Sequence, residues 1–249
     1  MAIKAISFDL WDTIVHDDSD EPKRKARGLR SKRDERRHLV HGALAAQGPI
    51  PFETVSLAYD VADAAFNKVW REHAITWTIK ERLGVLLKGL GRTLTGSAWD
   101  GVVKAHQTME VTIRPDLIEG IDAALAALAA RYRLCIVSDA IVSPGWALRQ
   151  LLEAHGVLRH FQAFAFSDEV GHSKPHPDMF NHVASALGVR LDEMVHVGDR
   201  EHNDIKGPHA LGMKAVLFVA TRAADRQGTT ADAVCERHAD LPAIIDRLA

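Results

Sequence analysis

Hydrophobic positions along the 249-residue chain follow three rhythms in succession. The first is a short apolar run with two β-favouring residues, Ile3 and Ile6, that continues through Phe8 and stops on Asp9. It reads as a buried strand ending on a carboxylate. From Asp17 to His38 the apolar content falls away and charge takes over, a stretch that begins as a loop and turns helical. From Leu39 to about Thr112 the spacing is helical. Leu39, Ala43 and Ala46 fit one face; Val55, Ala58, Ala62, Ala65, Phe66 and Val69 a second helix; Ile79, Leu83, Leu86, Leu87 and Leu90 a third; Trp99, Val102, Val103 and His106 a fourth. Gly48-Pro49-Ile50-Pro51 and Gly96-Ser97 are the breaks.

The third rhythm alternates. Leu117, Ile121, Leu125 and Leu128 form a helix stripe, Leu134 to Val137 a strand ending in Ser138-Asp139, and Pro144 to His155 a helix. Ala163–Phe166, Met194–Val197 and Ala215–Val219 read as strands, with helices at Pro177–Leu187, Ile205–Leu211 and Leu241–Leu248 between and after them. Thr221 to Cys235 is polar and reads as irregular. Strands spaced by helices predict βαβ units, hence a parallel sheet covered on both faces. The expected fold class is therefore α/β, a Rossmann-like three-layer sandwich with a helical domain inserted after the first strand. The expected division is residues 1–15 and 113–249 for the core and 16–112 for the insert.

Composition narrows the class without naming it. The chain is 47% hydrophobic and 26% charged with a formal net charge of −2, so no global field favours nucleic acid or an anionic membrane. No run approaches the ~18 apolar residues of a membrane span. The N-terminal stretch lacks signal-peptide character, and a cytoplasmic location is the expectation. The two cysteines, Cys135 and Cys235, indicate neither a disulfide framework nor a zinc site.

The polar residues at strand ends carry the chemistry. Asp9, Ser138 and Asp199 each follow a short apolar strand, and parallel strands bring their carboxyl ends to one edge. Lys174, in the loop Gly171-His172-Ser173-Lys174-Pro175-His176-Pro177, can reach the same edge. Asp9, Asp199 and Asp204 could bind a hard divalent cation, for which Mg²⁺ is the natural candidate. Ser138 and Lys174 suit a phosphoryl group. Asp9 could then attack phosphorus and form an aspartyl-phosphate.

This order of residues resembles the haloacid dehalogenase superfamily of hydrolases, in its subfamily with a helical cap. Phe8-Asp9-Leu10-Trp11-Asp12-Thr13 is similar to its first motif, Val137-Ser138-Asp139 to its second, Lys174-Pro175 to its third, and Val197-Gly198-Asp199 through Asp204 to its fourth. The resemblance implies that Asp9 is the nucleophile and that Ser138 and Lys174 hold the phosphoryl group. It implies that Mg²⁺ is held by Asp9, the backbone carbonyl of Trp11 and Asp199, with Asp204 as ligand or support. The implied activity is a Mg²⁺-dependent phosphatase acting on a small phosphorylated metabolite, the insert closing over the site as a cap. Neither nucleic acid nor membrane is an expected partner, and the assembly is a monomer or homodimer.

One position departs from the pattern. Phosphatases of the family usually carry a second Asp two residues after the nucleophile as general acid/base, and here that residue is Trp11. Asp12 is one residue later, and adjacent side chains along an extended segment point to opposite sides. Trp11, Asp12, Thr13 and Asp139 remain candidates for lining or assisting the site. Without an acid at residue 11, substrates with good leaving groups are favoured, since general acid catalysis is worth roughly 10²–10⁴-fold. Dehalogenases of the family have an aromatic residue there, so a hydrolytic 2-haloacid-type dehalogenase is an alternative, though it has no need of Asp199 and Asp204. A weakly catalytic member that binds a phosphorylated ligand or a protein is a third reading. In the basic stretch Lys23–Arg37, most of which reads as a solvated face, Arg30 or Arg33 could point into a cleft between insert and core.

Overall fold

The structure is a computed structural model that describes residues 2–249. Its elements run β1 (Ala5–Phe8), α1 (Asp20–Ala26), α2 (Lys32–Ala45), α3 (Phe52–His73), α4 (Ile79–Gly89), α5 (Gly96–Thr112), α6 (Ile121–Ala129), β2 (Arg133–Ser138) and α7 (Gly145–Ala154). They continue β3 (Phe161–Phe166), α8 (Ser167–Val170), α9 (Pro177–Leu187), β4 (Met194–Gly198), α10 (Gly207–Ala210), β5 (Lys214–Phe218), β6 (Ala233–Cys235) and α11 (Leu241–Leu248).

The strands form one six-stranded sheet in the order β3-β2-β1-β4-β5-β6, every pairing parallel. The two-residue alternation of a strand sends Ile6, Phe8, Leu134, Ile136, Val195 and Val197 to one face and Ala5, Cys135, Val137, Ala163 and Ala165 to the other. The first face packs on α6, α7 and α11, the second on α9. This is the expected Rossmann-like α/β sandwich. From β1 the chain winds outward through β2 and β3, then returns to the other side of β1 through β4, β5 and β6. The winding reverses between β1 and β4, and an open parallel sheet binds ligands in the crevice at such a point.

Helices α1–α5 form the segment between β1 and β2, and they enclose a hydrophobic cluster of their own. Val40 and Leu44 of α2, Val55, Tyr59 and Ala62 of α3, Leu83, Leu86 and Leu87 of α4, and Val102 and Val103 of α5 are buried together. Helix α2 is rotated from the face read in its sequence: Arg37, Val40 and Leu44 turn inward rather than Leu39, Ala43 and Ala46. The polar segment read as irregular contains the edge strand β6. The helix expected over Ile205–Leu211 is a π-helical turn at Glu201–Lys206 followed by α10.

The helical segment is fastened to the loops at the sheet's carboxyl edge. Ser173 N–H donates to the carbonyl of Ala74 (2.7 Å), and Thr76 Oγ1 donates to Ser167 Oγ (2.8 Å). Arg82 donates to the carbonyl of Ile141 (2.6 Å). Between helices and sheet lies a cavity of about 200 Å³, lined by Lys32, Trp70 and Glu110 from the helices and by Asp9, Asp139 and Lys174 from the sheet edge.

Candidate active site

Asp9 lies one residue past β1, at the reversal point. Its N–H donates to the carbonyl of Val197 (2.9 Å), which aligns it with the end of β4. The same alignment continues with Gly198 opposite Asp9 and brings the Asp199 carboxylate beside that of Asp9. Gly198 is required between them: a Cβ there would lie 2.4 Å from Asp204 Cγ, so only glycine lets the Asp204 carboxyl close against the strand end. One carboxylate oxygen from each of Asp9, Asp199 and Asp204 falls within 4.8 Å of the others, and all three residues are buried.

Lys174 is the buried cation among them. Its Nζ donates to Asp9 Oδ1 (2.7 Å) and Asp204 Oδ1 (2.6 Å). Burial pulls the Lys174 pKa down, but Asp204, Asp9 and Asp139 outweigh it and hold the amine charged. Asp204 is similarly committed. Besides Lys174 it faces His196 Nε2 (3.1 Å), and its Oδ2 accepts from the Arg200 N–H (3.0 Å). Burial opposes its charge, but Lys174 and His196 hold its carboxyl well below the usual range. Asp9 goes the other way: burial raises its pKa against the pull of Lys174. Asp199 is the least compensated. Its Oδ2 is buried without a hydrogen-bond partner, and burial followed by repulsion from Asp9 and Asp204 pushes the carboxyl up to about 8.

Arg200 (3.7 Å) and Arg222 (3.9 Å) approach that oxygen without hydrogen-bonding it, and its position against two further carboxylates is what a hard cation would relieve. All donors are oxygens, as Mg²⁺ requires. Asp199 and Asp9 are the better direct ligands, because hydrogen bonds already occupy Asp204 on both oxygens. The residues therefore fit a divalent metal.

The other sequence candidates divide. Ser138 ends β2 fully buried, and its Oγ has no hydrogen-bond partner among the described residues. Asp139 lines the cavity, where its Oδ1 accepts from the Lys174 N–H (2.9 Å) and its Oδ2 from the Trp70 indole (3.1 Å). Burial pushes Asp139 up to about 6 against the opposing pull of Lys174. Trp11 lines the cavity while also packing on the sheet core. Asp12 and Thr13 do not line it. Asp12 has left-handed backbone (φ 54), and its Oδ1 accepts from the Asp17 N–H (3.2 Å). Thr13 is buried, and its carbonyl accepts from His238 Nε2 (2.8 Å).

The arginines expected in the cleft are not there. Arg30 is exposed beside Glu35 (3.4 Å), and Arg33 is exposed beside Asp60 (3.0 Å). Lys32, immediately before Arg33, and Arg36, about one turn after it, line the cavity instead, with Asp17, Asp18 and Glu110. Lys32 is held by Asp20 (2.9 Å), Asp18 (3.0 Å) and Glu110 (3.3 Å). Glu110 also accepts from Ser143 Oγ of the core. His196 escaped sequence reading, although a histidine inside Met194-Val195-His196-Val197 was a signal: a buried strand admits one only with partners, here Ser7 Oγ (2.9 Å) and Asp204.

Sheet topology and buried polar cluster together define an α/β enzyme whose chemistry lies at the strand carboxyl ends. Comparison with known proteins names the family. The haloacid dehalogenase-like hydrolase family matches residues 3–212, and the chain belongs to it. It is 29% identical over 219 residues to the glyceraldehyde 3-phosphate phosphatase of Pyrococcus abyssi, covering 87% of this chain and 81% of that protein. Over 103 residues it is 34% identical to the protein of the same name from Methanopyrus kandleri, covering 41% of this chain and only 44% of the relative. A 66-residue segment is 38% identical to the phosphoglycolate phosphatase of Escherichia coli, 26% of each chain. Among solved structures, a HAD phosphatase from Thermococcus onnurineus superposes with a TM-score of 0.67 at 21% identity, over 98% of both chains. A 2-haloacid dehalogenase from Pseudomonas syringae superposes with 0.66 at 20% identity, over 99% of this chain and 100% of the other. Phosphatase and dehalogenase thus share this fold.

Proposed function

We propose that the protein is a Mg²⁺-dependent phosphatase of small phosphorylated metabolites working through an aspartyl-phosphate. The observation that carries this reading is the convergence of Asp9, Asp199 and Asp204 around a buried Asp199 oxygen that accepts no hydrogen bond. A nucleophile displacing halide from carbon needs no metal, whereas three converging carboxylates suit one. The names of the relatives point the same way.

In this reading Asp9 attacks phosphorus, and Lys174 and the free Ser138 hydroxyl hold the phosphoryl oxygens. Asp204 and Asp139 position Lys174, one through its ammonium and the other through its backbone N–H. Mg²⁺, when bound by Asp9, Asp199 and the Trp11 carbonyl, neutralises charge on the transferring group. Helices α1–α5, residues 16–112 in the proposed division, act as the cap that shields the reaction from water. Trp11 donates no proton, so the core alone favours acyl, enol and aryl phosphates over alkyl esters.

Phosphate release from a panel of phosphomonoesters and acyl phosphates, in EDTA and in MgCl₂, tests the reading. Metal-dependent turnover lost in Asp9→Asn is expected. The aromatic Trp11 in the cavity favours the dehalogenase alternative, and metal-independent halide release from 2-haloacids would establish that instead. Ligand-induced thermal stabilisation without turnover would point to a binding protein.

A further inference from the structure

A phosphatase that hydrolyses alkyl esters needs a proton donor for the leaving oxygen, and Trp11 is not one. Asp12 does not take its place. Its N–H donates to the Val15 carbonyl (2.7 Å), its carbonyl accepts from Thr221 Oγ1 (2.5 Å), and its side chain accepts from the Asp17 N–H. That last bond folds the loop back on itself. In consequence Asp17 and Asp18 reach the cavity holding Asp9 and Trp11, and of the two Asp18 is already paired with Lys32 (3.0 Å). Asp17 Oδ1 accepts from the Asp18 N–H (2.9 Å), and among the described residues no hydrogen bond occupies Oδ2. One oxygen is fixed by the backbone and the other is free, which is the arrangement a proton-transferring carboxyl needs.

We infer that Asp17 is the general acid and base of this site, taking over from a loop beneath the cap the task that residue 11 cannot perform. The inference rests on the phosphatase reading above. In the first step an Asp9 oxygen bonds to phosphorus, the phosphorus–oxygen bond to the leaving group breaks, and the Asp17 proton passes to the departing oxygen. The products are a free alcohol, an aspartyl-phosphate at Asp9 and an Asp17 carboxylate. In the second step Asp17 takes a proton from water as the water oxygen bonds to phosphorus. The bond from phosphorus to Asp9 breaks, releasing inorganic phosphate, a free Asp9 carboxylate and a protonated Asp17.

The surroundings suit a group that must cycle between both forms. His16, Asp12 and Asp18 flank Asp17 on its own loop, Lys32 and Arg36 face it from α2, and Glu110 faces it from α5. Burial, then Asp18, push its carboxyl up to about 6; Lys32 opposes them, and Glu110 and Asp12 add to the rise. Lys32 stays in place because Asp18, Asp20 and Glu110 grip it. Alkyl esters are then turned over below about pH 6, and the preference for good leaving groups emerges above it.

The test compares ethyl phosphate with 2,4-dinitrophenyl phosphate in MgCl₂, for the wild type, Asp17→Asn and Asp17→Glu. For Asp17→Asn, kcat/KM on ethyl phosphate should fall by about 10²–10⁴-fold, and on the dinitrophenyl ester by less than about tenfold. The fall of the ethyl phosphate rate above pH ~6 should vanish in Asp17→Asn and return, displaced, in Asp17→Glu. Equal losses on both esters, or an unchanged pH profile in Asp17→Asn, overturn the assignment alone. Turnover of neither ester by the wild type overturns the phosphatase reading and this assignment with it. Thermal melting of each variant in MgCl₂ verifies that it is folded, and Asp17→Glu keeps the comparison decisive if Asp17→Asn is not.

Discussion

Replacing Asp199 by Asn should stabilise the metal-free protein and abolish its response to Mg²⁺. The Asp199 side chain is almost wholly buried, its Oδ2 accepts no hydrogen bond and has Arg200 and Arg222 only at 3.7 and 3.9 Å, and burial with repulsion from Asp9 and Asp204 pushes its carboxyl from the usual 3.8 up to about 8. A carboxyl whose folded pKa is raised holds its proton in the folded state over a range where the unfolded chain has lost it. Stability is therefore full below about 3.8 and falls as pH rises from there to about 8. At pH 7.5 a shift of this size corresponds to ~5 kcal/mol. Water admitted to the cavity recovers about half, leaving ~2–3 kcal/mol, or about 5–10 °C in a protein of this size.

Differential scanning fluorimetry from pH 5 to 9, in EDTA and in MgCl₂, measures the effect. In EDTA at pH 7.5, Asp199→Asn should melt above the wild type, with the gap closing toward pH 5. In MgCl₂ the wild type should gain ~2.7 kcal/mol at a hundredfold excess over Kd, while the variant gains little. Taking the difference between variant and wild type cancels the other titrating groups. If Asp199→Asn melts with or below the wild type in EDTA at pH 7.5, the three carboxylates are not in conflict and the metal reading loses its support.

Lys174→Met removes the cation shared by Asp9 and Asp204 and should cost ~3–5 kcal/mol in urea unfolding, partly recovered in MgCl₂; an unchanged midpoint in EDTA would count against the geometry. Gly198→Ala forces Asp204 away from the strand end and should eliminate the Mg²⁺-dependent thermal shift. Gly42→Ala, where nothing lies within 4 Å of the new Cβ, should leave that shift intact and stabilise α2 by ~0.5–1 kcal/mol. His106, buried between the Val102 carbonyl and Tyr59 Oη, has its pKa pushed down by burial to about 4. The unfolded chain binds that proton first, so stability should drain away as pH falls from ~6.5 toward ~4, by at most ~3 kcal/mol, and His106→Gln should flatten the decline.

The sheet and its site were legible in the sequence because both depend on local pattern. Each central strand is a mainly apolar run followed or ended by a polar residue, so topology alone carries Asp9, Ser138 and Asp199 to one edge. Helix α9 was readable to the residue, since Pro177 starts it and Gly188 (φ 63) stops it. The cavity's roof was not readable. In the first turns of α2 nearly every side chain is charged, so no apolar stripe fixes the rotation of the helix about its axis. Arg30 and Arg33 looked as good as Lys32 and Arg36, and only packing against α3 and α5 decides between them. Strand β6 was missed because it is three residues long at a sheet edge, where one partner suffices and no second face demands hydrophobic residues. Asp17 was missed because its placement depends on the left-handed turn at Asp12, which neither spacing nor residue type announces.

In the proposed reading, the charge in the cavity requires metal and substrate to come together. On the sheet side Asp9, Asp139, Asp199 and Asp204 face Lys174 and Arg200, an excess of carboxylate that by itself repels a phosphate dianion. Two added positive charges would cancel that excess locally. A phosphoryl group in turn supplies oxygens to the cation that Asp204, already hydrogen-bonded on both of its own, offers less freely. Each ligand improves the site for the other, and the coupling is reciprocal by thermodynamic necessity. On the helical side the balance is nearer to even, Lys32 and Arg36 against Asp17, Asp18 and Glu110, with Trp11 and Trp70 beside them. A leaving group placed there meets hydrogen-bonding partners of both signs and two aromatic faces rather than a net field. On the proposed function, the phosphoryl group would thus be selected by charge on the sheet side, leaving shape and hydrogen bonding on the helical side to select what it is attached to.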